Sequence, residues 1–424
     1  MNRIPMHWQI IIGMVLGVIV GLSLSYASLS AWALDWIKPF GTVFINLLKV
    51  VAVPLVFISL VQGISSLSDI AKLSSMGLKT LGLYIATTVI AISIGLVLAN
   101  VFQPGKAFPE ERRAQFAAQF AQETAKRQDA AKETQKSSPL QPLVDIVPEN
   151  IIKAATENRN MLQVIFFAAL FGVALLMIDS QKAAPVKALF DALNDVVIKM
   201  VEVIMRGAPY GVFALMAYLI VDFAGDEPQK AVEIMKGVGT YALVVVGGLL
   251  MMVVIVYPLM VFFLAGKSPM ILLKGILPAQ MLAFSTSSSA ATLPVTMECV
   301  HKNLGVSKEV SSFVLPMGAT INMDGTSLYQ GVAAIFIAQV YNMDLSLAQQ
   351  LSILLTATLA SVGAAAVPGA GILMLIVVLE QAGIPSEGIY LIFAIDRILD
   401  MCRTVVNVTG DASVSVVIQK TEEG

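Results

Sequence analysis

Long apolar segments separated by short polar stretches run along the chain from its beginning to about residue 265. Six of them are long enough to cross a hydrocarbon core of about 30 Å as helices. They lie at about 8–27, 36–64, 81–102, 161–178, 186–217 and 238–264. No A-x-A cleavage site clearly follows the first, so we expect an uncleaved helix there. A break is expected in the fourth, near Gly172.

Two apolar segments in the last third of the chain are interrupted by runs of small residues. The first covers about 269–300 and is broken at 285–294, and the second covers about 345–382 and is broken at 361–371. Each half is too short to span the bilayer, and each break contains a proline. Paired interruptions of this kind favour a transporter site built from re-entrant hairpins, whose free backbone groups face a ligand. Kinked ordinary helices that pack through small residues are the alternative.

The final span, about 385–418, carries an unusual number of polar side chains. In a helix, five of them share one face because they are spaced i, i+3, i+4, i+7 and i+11. They are Asp400, Arg403, Thr404, Asn407 and Asp411. A charge at the centre of a membrane helix costs about 2.5–3.5 kcal/mol on insertion scales, so this face should look into protein, water or a ligand. Structural ion pairs such as Asp400–Arg403 are the competing interpretation.

A polar interruption also marks the span at about 308–341. Asn322 and Asp324 are two residues apart, so a regular helix would point them about 200° apart. Gly318 and Gly325 flank them. An unwound segment here would let backbone carbonyls and the Asp324 carboxylate converge on a hard cation such as Na⁺. A simple helix cap is the alternative.

The composition places these spans in a polytopic membrane protein. The chain has 424 residues, of which 57% are hydrophobic and 13% charged, whereas ordinary soluble domains carry about 25% charged residues. The net charge of −2 argues against a nucleic-acid partner. Two cysteines and two histidines fit neither a disulfide framework nor a metal site. The serines at 287–289 have no histidine or lysine base in their segment, which argues against an intramembrane enzyme.

The placement of lysine and arginine predicts the orientation in the bilayer. The positions that should share the cytoplasmic side are Arg3, Lys72, Lys79, Lys182, Lys267, Lys302, Lys308 and Lys420. Both termini are therefore expected in the cytoplasm. The polar insert at 104–148 falls outside, and its high content of Glu, Lys, Arg and Gln is typical of a solvated loop.

Four motifs carry a family resemblance. They are SSSAATLP at 287–294, NMDGT at 322–326, AVPGAG at 366–371 and DMCRTVVNVTGD at 400–411. In this order they resemble the glutamate transporter family of dicarboxylate/amino acid:cation symporters, which includes the excitatory amino-acid transporters and the archaeal aspartate transporters. The likeness covers nearly the whole chain and is typical of a prokaryotic member in the cell inner membrane.

The resemblance implies an all-α fold of eight transmembrane helices and two re-entrant hairpins, built from inverted repeats and assembled as a homotrimer. Scaffold helices 1–2 would occupy 1–72, and scaffold helices 4–5 would occupy 149–222. A transport domain that moves as an elevator would consist of helix 3 at 73–103 and the segment 223–424. That segment would hold helix 6, the two interrupted segments as hairpins, and helices 7 and 8.

The resemblance also implies a site for an acidic amino acid. The Arg403 guanidinium would bind the side-chain carboxylate of the substrate, and Asp400 would bind its ammonium. This pair favours glutamate or aspartate over a plain dicarboxylate, which has no cation for Asp400. Further contacts are expected from Thr326, Thr404, Asn407 and Arg397 and, at the hairpin tips, from Ser288, Ser289, Val367 and Gly371.

The resemblance further implies three sites for the transported cations, Na⁺ or H⁺, and no resident cofactor. One uses Gly318, Asn322, Asn407 and Asp411. A second uses mainly backbone carbonyls around Thr320, Ser361, Val362 and Ala364. The third uses Tyr84, Thr87, Thr88, Asn322 and Asp324. Without the resemblance, the tyrosine and threonines in the third span would be interpreted as helix-packing groups.

Several positions depart from the family pattern. Ser287 stands where many archaeal relatives have an arginine, and Met401 stands where animal relatives have one. Arg397 lies one turn before Met401, so we predict that it reaches the first hairpin or the Asp400 carboxylate. Gln330 replaces the glutamate of animal potassium-antiporting relatives, so a carboxyl-linked proton/potassium return step is predicted to be absent.

The predicted function is secondary active symport of L-glutamate or L-aspartate with sodium. A proton-coupled symporter of the same fold would use the same carboxylates as protonation sites. A channel is a third class, although the sequence shows no continuous polar stripe to line a pore. Saturable, concentrative uptake separates a transporter from a channel.

Overall fold

The structure is a computed structural model. It describes residues 6–27, 29–66, 74–108, 110, 113–115, 117–118, 147–156, 160–224, 229–362 and 369–423. These residues form helices and turns, with no strand among them. The expected all-α fold class is confirmed.

The helices follow one another with short connections. The amino-terminal ones are α1 (Met6–Tyr26), α2 (Ser30–Trp36), α3 (Lys38–Ser66) and α4 (Ser74–Phe102). The central ones are α5 (Ile151–Ala155), α6 (Met161–Met177), α7 (Ser180–Arg206), α8 (Ala208–Ala224), α9 (Gln229–Met251) and α10 (Tyr257–Ala265). The last third holds α11 (Pro269–Gly275), α12 (Leu277–Thr286), α13 (Ser289–Lys302), α14 (Lys308–Ile321), α15 (Asp324–Val340), α16 (Leu347–Val362), α17 (Ala370–Gln381) and α18 (Ile389–Glu422).

Several of these helices are suited to a bilayer. Among the described residues, four helical stretches are long and apolar enough to cross a membrane, or up to six if each of two bent helix pairs forms one span. The bent pairs are α7 with α8, at 52°, and α11 with α12, at 49°. The protein is therefore a multi-pass membrane protein, and the total of eight spanning helices stays a prediction.

Two details of the predicted spans are wrong. The fourth span has no break near Gly172, because α6 runs through it. A Cβ at Gly172 would lie 2.8 Å from the Ile64 side chain, so this glycine serves close helix packing. The fifth span is not one helix, because α7 and α8 meet at Gly207. Pro209 follows at once and lacks the N–H that would continue the helical hydrogen-bond ladder.

The helices pack in two groups. In the first, α1 lies along α8, and α3 packs on α6, α7 and α8. Gly13, Gly17 and Gly21 let α1 approach α8 closely; a Cβ at Gly21 would lie 2.8 Å from the Ala217 carbonyl oxygen. Aromatic rings join α3, α6 and α7, and those rings are Phe57, Phe167, Phe171 and Phe190.

The second group surrounds α15 and α18. Helix α15 is buried along almost its whole length and packs on α4, α9, α16, α17 and α18. Helix α18 runs beside α10, α12, α14 and α15. Two hairpins, α11–α13 and α16–α17, bring their described arms to these central helices. The candidate site forms where the arms, α15 and α18 meet.

Two features connect to this second group from outside it. The Lys49 ammonium on α3 lies 3.4 Å from a Glu387 carboxylate oxygen and 4.0 Å from one of Glu380, beyond the second hairpin and at its end. The first residues of the polar insert, Pro104–Ala107, form a 3-10 turn against α9 and α15. Phe108 follows that turn and is buried against Gly237.

Candidate functional site

The first hairpin places a helix start beside the site. Helix α12 ends at Thr286, and Ser287 adopts a left-handed conformation with φ of 52°. Ser288 then caps α13, because its hydroxyl accepts a hydrogen bond from the Ala291 N–H. The expected tip serines 288 and 289 are therefore the cap and first residue of α13, where backbone N–H groups favour an anionic group.

The second hairpin is held to α18 at the start of α17. Gly369 has φ of 84°, and its N–H donates to Asp400 Oδ2 over 3.2 Å. Two of the predicted site residues at this tip, Ala364 and Val367, lie outside the described residues. Val362 is the last residue of α16, and its backbone alone is described.

The predicted break between α14 and α15 is present at Asn322 and Met323. Asn322 has an extended backbone, with φ of −89° and ψ of 92°. Asn407 on α18 fits into this break, since its side-chain oxygen accepts from the Gly325 N–H over 2.8 Å. Its amide nitrogen contacts Met323 Sδ at 3.2 Å. The break thus brings α15 and α18 into register.

Four charged side chains form a continuous network on α18. Arg403 donates to Asp400 Oδ1 over 2.7 Å and to Asp396 Oδ1 over 3.0 Å. Arg397 donates to Asp400 Oδ2 over 3.2 Å, so the predicted contact with the Asp400 carboxylate is present. The Arg403 side chain is 1% exposed and that of Arg397 is 11% exposed. Two guanidinium groups and two carboxylates cancel, which makes a buried network of this kind tolerable.

The Arg403 guanidinium is fixed on two sides besides its carboxylates. Its central carbon lies 3.9 Å from the centroid of the Tyr329 ring on α15. Gly371 on α17 lies against the guanidinium, and a Cβ there would come within 3.0 Å of Nη1. At Gly325 a Cβ would overlap the Arg403 backbone oxygen. These contacts place the guanidinium between α15, α17 and α18.

A second polar cluster surrounds Asp324, which is fully buried. Thr88 on α4 donates to Asp324 Oδ1 over 2.7 Å, and Tyr257 at the start of α10 donates to Oδ2 over 2.8 Å. Thr87 lies beside Thr88, but its hydroxyl donates to the Tyr84 carbonyl. This cluster contains α4 residues that the resemblance assigned to a cation.

Asp411 lies next to that cluster, on α18. The Asn322 amide nitrogen donates to Asp411 Oδ1 over 2.8 Å. The Asn322 side-chain oxygen is buried and has no hydrogen-bond partner among the described residues. A Cβ at Gly318 would overlap both Asp411 Oδ1 and the Tyr84 hydroxyl, so this glycine leaves the space that the two oxygens occupy.

The donor set around Asp324 and Asp411 suits a hard monovalent cation or a proton. Carboxylate, hydroxyl and amide oxygens are the ligands there, and no lysine or arginine pairs with either carboxylate among the described residues. The described residues contain no group of three or more His, Cys, Asp or Glu side chains that would suit a transition metal. The partnerless Asn322 oxygen is consistent with a cation ligand.

Other predicted residues lie near the site with their hydroxyls committed locally. Thr404 donates to the Asp400 carbonyl, Thr320 to the Met317 carbonyl and Ser361 to the Thr358 carbonyl. Their backbone oxygens remain the relevant groups for a cation. Thr326 is buried in the first turn of α15, three residues before Tyr329.

Sequence reasoning gave no role to three residues that the structure places in the site. They are Asp396, Tyr329 and Tyr257. Asp396 carried a usable signal, because it precedes Arg403 by seven residues and so lies two turns away on the same face. The two tyrosines carried none, since lone aromatic residues in apolar helices usually pack in the core.

Comparison with known proteins gives one consistent family. Residues 6–421 match the sodium:dicarboxylate symporter family. The chain is 36% identical to the proton/sodium-glutamate symport protein of Geobacillus stearothermophilus, across 100% of this chain and 96% of the relative. It is also 36% identical to the proton/glutamate-aspartate symporter of Escherichia coli, with 99% and 93% covered. Identity to excitatory amino acid transporter 5 of Homo sapiens is 34%, with 95% and 79% covered.

Proposed function

The chain belongs to the sodium:dicarboxylate symporter family, and on that premise we propose that it takes up L-glutamate or L-aspartate together with sodium. Family membership makes it a membrane transporter that moves its substrate by symport, not an enzyme. The observation that carries the finer assignment is the buried Arg403–Asp400 pair between the two hairpins.

This pair matches the two charges that distinguish an acidic amino acid. The guanidinium offers parallel N–H donors to the side-chain carboxylate of the substrate. When that carboxylate takes Nη2 of Arg403, the Asp400 oxygen it displaces becomes available to the substrate ammonium. Asp396 stays on Nη1 and keeps the guanidinium against Tyr329. Substrate binding is thus an exchange of one carboxylate partner for another, without an unpaired charge.

Cation coupling follows from the two remaining carboxylates. Asp324 and Asp411 are buried and have no cationic partner among the described residues. Moving them through a bilayer in charged form is costly. Bound sodium neutralises them and fixes the Asn322–Asp411 side of the α14–α15 break, which lies next to Asn407. Cation and substrate binding are therefore reciprocally coupled.

The transport step in this proposal is an elevator movement of the second helix group. The moving part consists of 73–103 and 223–424, and the scaffold consists of 1–72 and 149–222. Exposed charges on α7 support a homotrimer, since Lys199 and Glu202 pair with each other on the face turned away from this protomer. Such a face in a membrane helix is best covered by another subunit. Both termini are placed on the cytoplasmic side of the inner membrane.

The test is uptake of labelled L-aspartate and L-glutamate into proteoliposomes under an imposed sodium gradient or an imposed proton gradient alone. We expect saturable, concentrative uptake driven by sodium. Uptake driven by the proton gradient in the absence of sodium would favour the second candidate, a proton-coupled symporter. That candidate is supported by the E. coli relative, whose name specifies protons. Non-saturable equilibration without accumulation would contradict both symporters.

A further inference from the structure

An irregular turn in the sixth predicted span places a tyrosine in the cation cluster. Between α9 and α10 the residues Met252–Val256 form a π-helical turn, and Tyr257 comes directly after it. Pro258 is next; in a regular α-helix its ring would clash with the carbonyl of Val254, so the wider turn relieves that clash. A π-turn also inserts one extra residue and rotates the rest of the helix, a feature common at functional sites.

The rotation brings the Tyr257 hydroxyl to a defined position. Tyr257 is fully buried, and its hydroxyl donates to Asp324 Oδ2 over 2.8 Å. The opposing surface on α18 is Gly410, where a Cβ would lie 2.8 Å from that hydroxyl and 2.7 Å from the Asn322 amide nitrogen. The absence of a side chain at Gly410 therefore makes room for the hydroxyl between the two carboxylates.

We infer that Tyr257 is a positioning residue for cation coupling: its hydroxyl fixes one Asp324 oxygen so that the other faces the incoming sodium ion. Thr88 holds Oδ1 from α4 while Tyr257 holds Oδ2 from α10. Asp324 lies directly after the helix break, so its carboxylate depends on these two donors for its orientation. The inference rests on the proposed sodium coupling and adds to it a residue that sets the sodium affinity.

A purely structural role would give a different result. If the π-turn only accommodates Pro258, the hydroxyl is incidental and its removal changes nothing at the cation site. If Tyr257 only supports the core, its removal weakens sodium and substrate binding together. The positioning role predicts a split, in which the sodium dependence changes while substrate binding at saturating sodium is retained.

The experiment compares purified wild-type, Tyr257→Phe and Tyr241→Phe proteins. Tyr241 is the matched control, because it is also fully buried on α9 and its hydroxyl has no hydrogen-bond partner among the described residues. Thermal stabilisation by NaCl, at constant ionic strength with choline chloride, gives the half-saturating sodium concentration without substrate. Binding of L-aspartate or L-glutamate at saturating sodium gives the substrate affinity.

We expect Tyr257→Phe to raise the half-saturating sodium concentration about ten-fold, as removal of a hydrogen bond to a charged group would. Its substrate affinity at saturating sodium should stay within about two-fold of wild type, and Tyr241→Phe should match wild type in both. An unchanged sodium concentration in Tyr257→Phe overturns the inference, and so does loss of substrate binding at saturating sodium. If wild type itself shows no response to sodium, the proposed sodium coupling fails first and takes this inference with it.

Discussion

We expect Gly371→Ala to weaken substrate binding while leaving the fold intact. Gly371 lies in the first turn of α17, against the Arg403 guanidinium. An added Cβ would lie 3.0 Å from Nη1 and 3.1 Å from both Cζ and Nη2. These distances are shorter than ordinary contacts, so the guanidinium or the start of α17 must shift by a few tenths of an ångström.

The size of the effect depends on the contacts that already hold the guanidinium. It has hydrogen bonds of 2.7 Å and 3.0 Å to two carboxylates and stacks on Tyr329, so it cannot move without lengthening one of them. A hydrogen bond to a charged group contributes about 1.5–3 kcal/mol. Partial loss of about 1–2 kcal/mol corresponds to a Kd roughly 5- to 30-fold higher.

Calorimetric titration of L-aspartate or L-glutamate into purified protein at saturating sodium measures this change. Gly247→Ala is the matched control, because it lies inside α9 and an added Cβ there has no neighbour within 4 Å. We expect the control to bind like wild type. A Gly371→Ala protein with a Kd within two-fold of wild type would refute the placement of the guanidinium against α17.

Three further predictions concern the same site. Arg403→Ala should abolish uptake of acidic amino acids in proteoliposomes, because its guanidinium is the proposed partner of the substrate carboxylate; wild-type-like uptake would contradict the substrate assignment. Arg397→Gln and Asp400→Asn should show a coupling of about 1 kcal/mol in substrate affinity, since the two charges lie 3.2 Å apart; additive effects would count against their interaction. Because Gln330 cannot take up a proton, uptake should be equally fast with internal K⁺ or internal choline, and strict dependence on K⁺ would weaken that prediction.

The sequence predicted the features that contrast with their surroundings. Polar residues in apolar spans stand out, so the stripe on α18 and the break at Asn322 were visible without coordinates. The competing interpretation of that stripe, an Asp400–Arg403 ion pair, is also present. The two interpretations are compatible, because a pair that exchanges one partner can serve both structure and binding.

The sequence could not predict features that depend on contacts between distant segments. Gly172 looks like a helix break, yet its position is decided by Ile64 on another helix. Tyr257 resembles any core tyrosine, and only the π-turn before it and Gly410 opposite show its direction. The bend at Gly207 had a local signal in Pro209, which the apolar character of both halves concealed.

The link between Lys49 and the second hairpin has a consequence for turnover. All three of its side chains are partly exposed, with Lys49 at 23%, Glu380 at 19% and Glu387 at 52%. A partly exposed ion pair contributes about 0–1 kcal/mol, which changes an equilibrium constant by at most about five-fold. A clasp of that strength biases the resting population of the carrier toward one position without adding a barrier that a bound cargo could not overcome in every cycle. Raising the ionic strength should shift that population modestly and leave the cargo affinity unchanged.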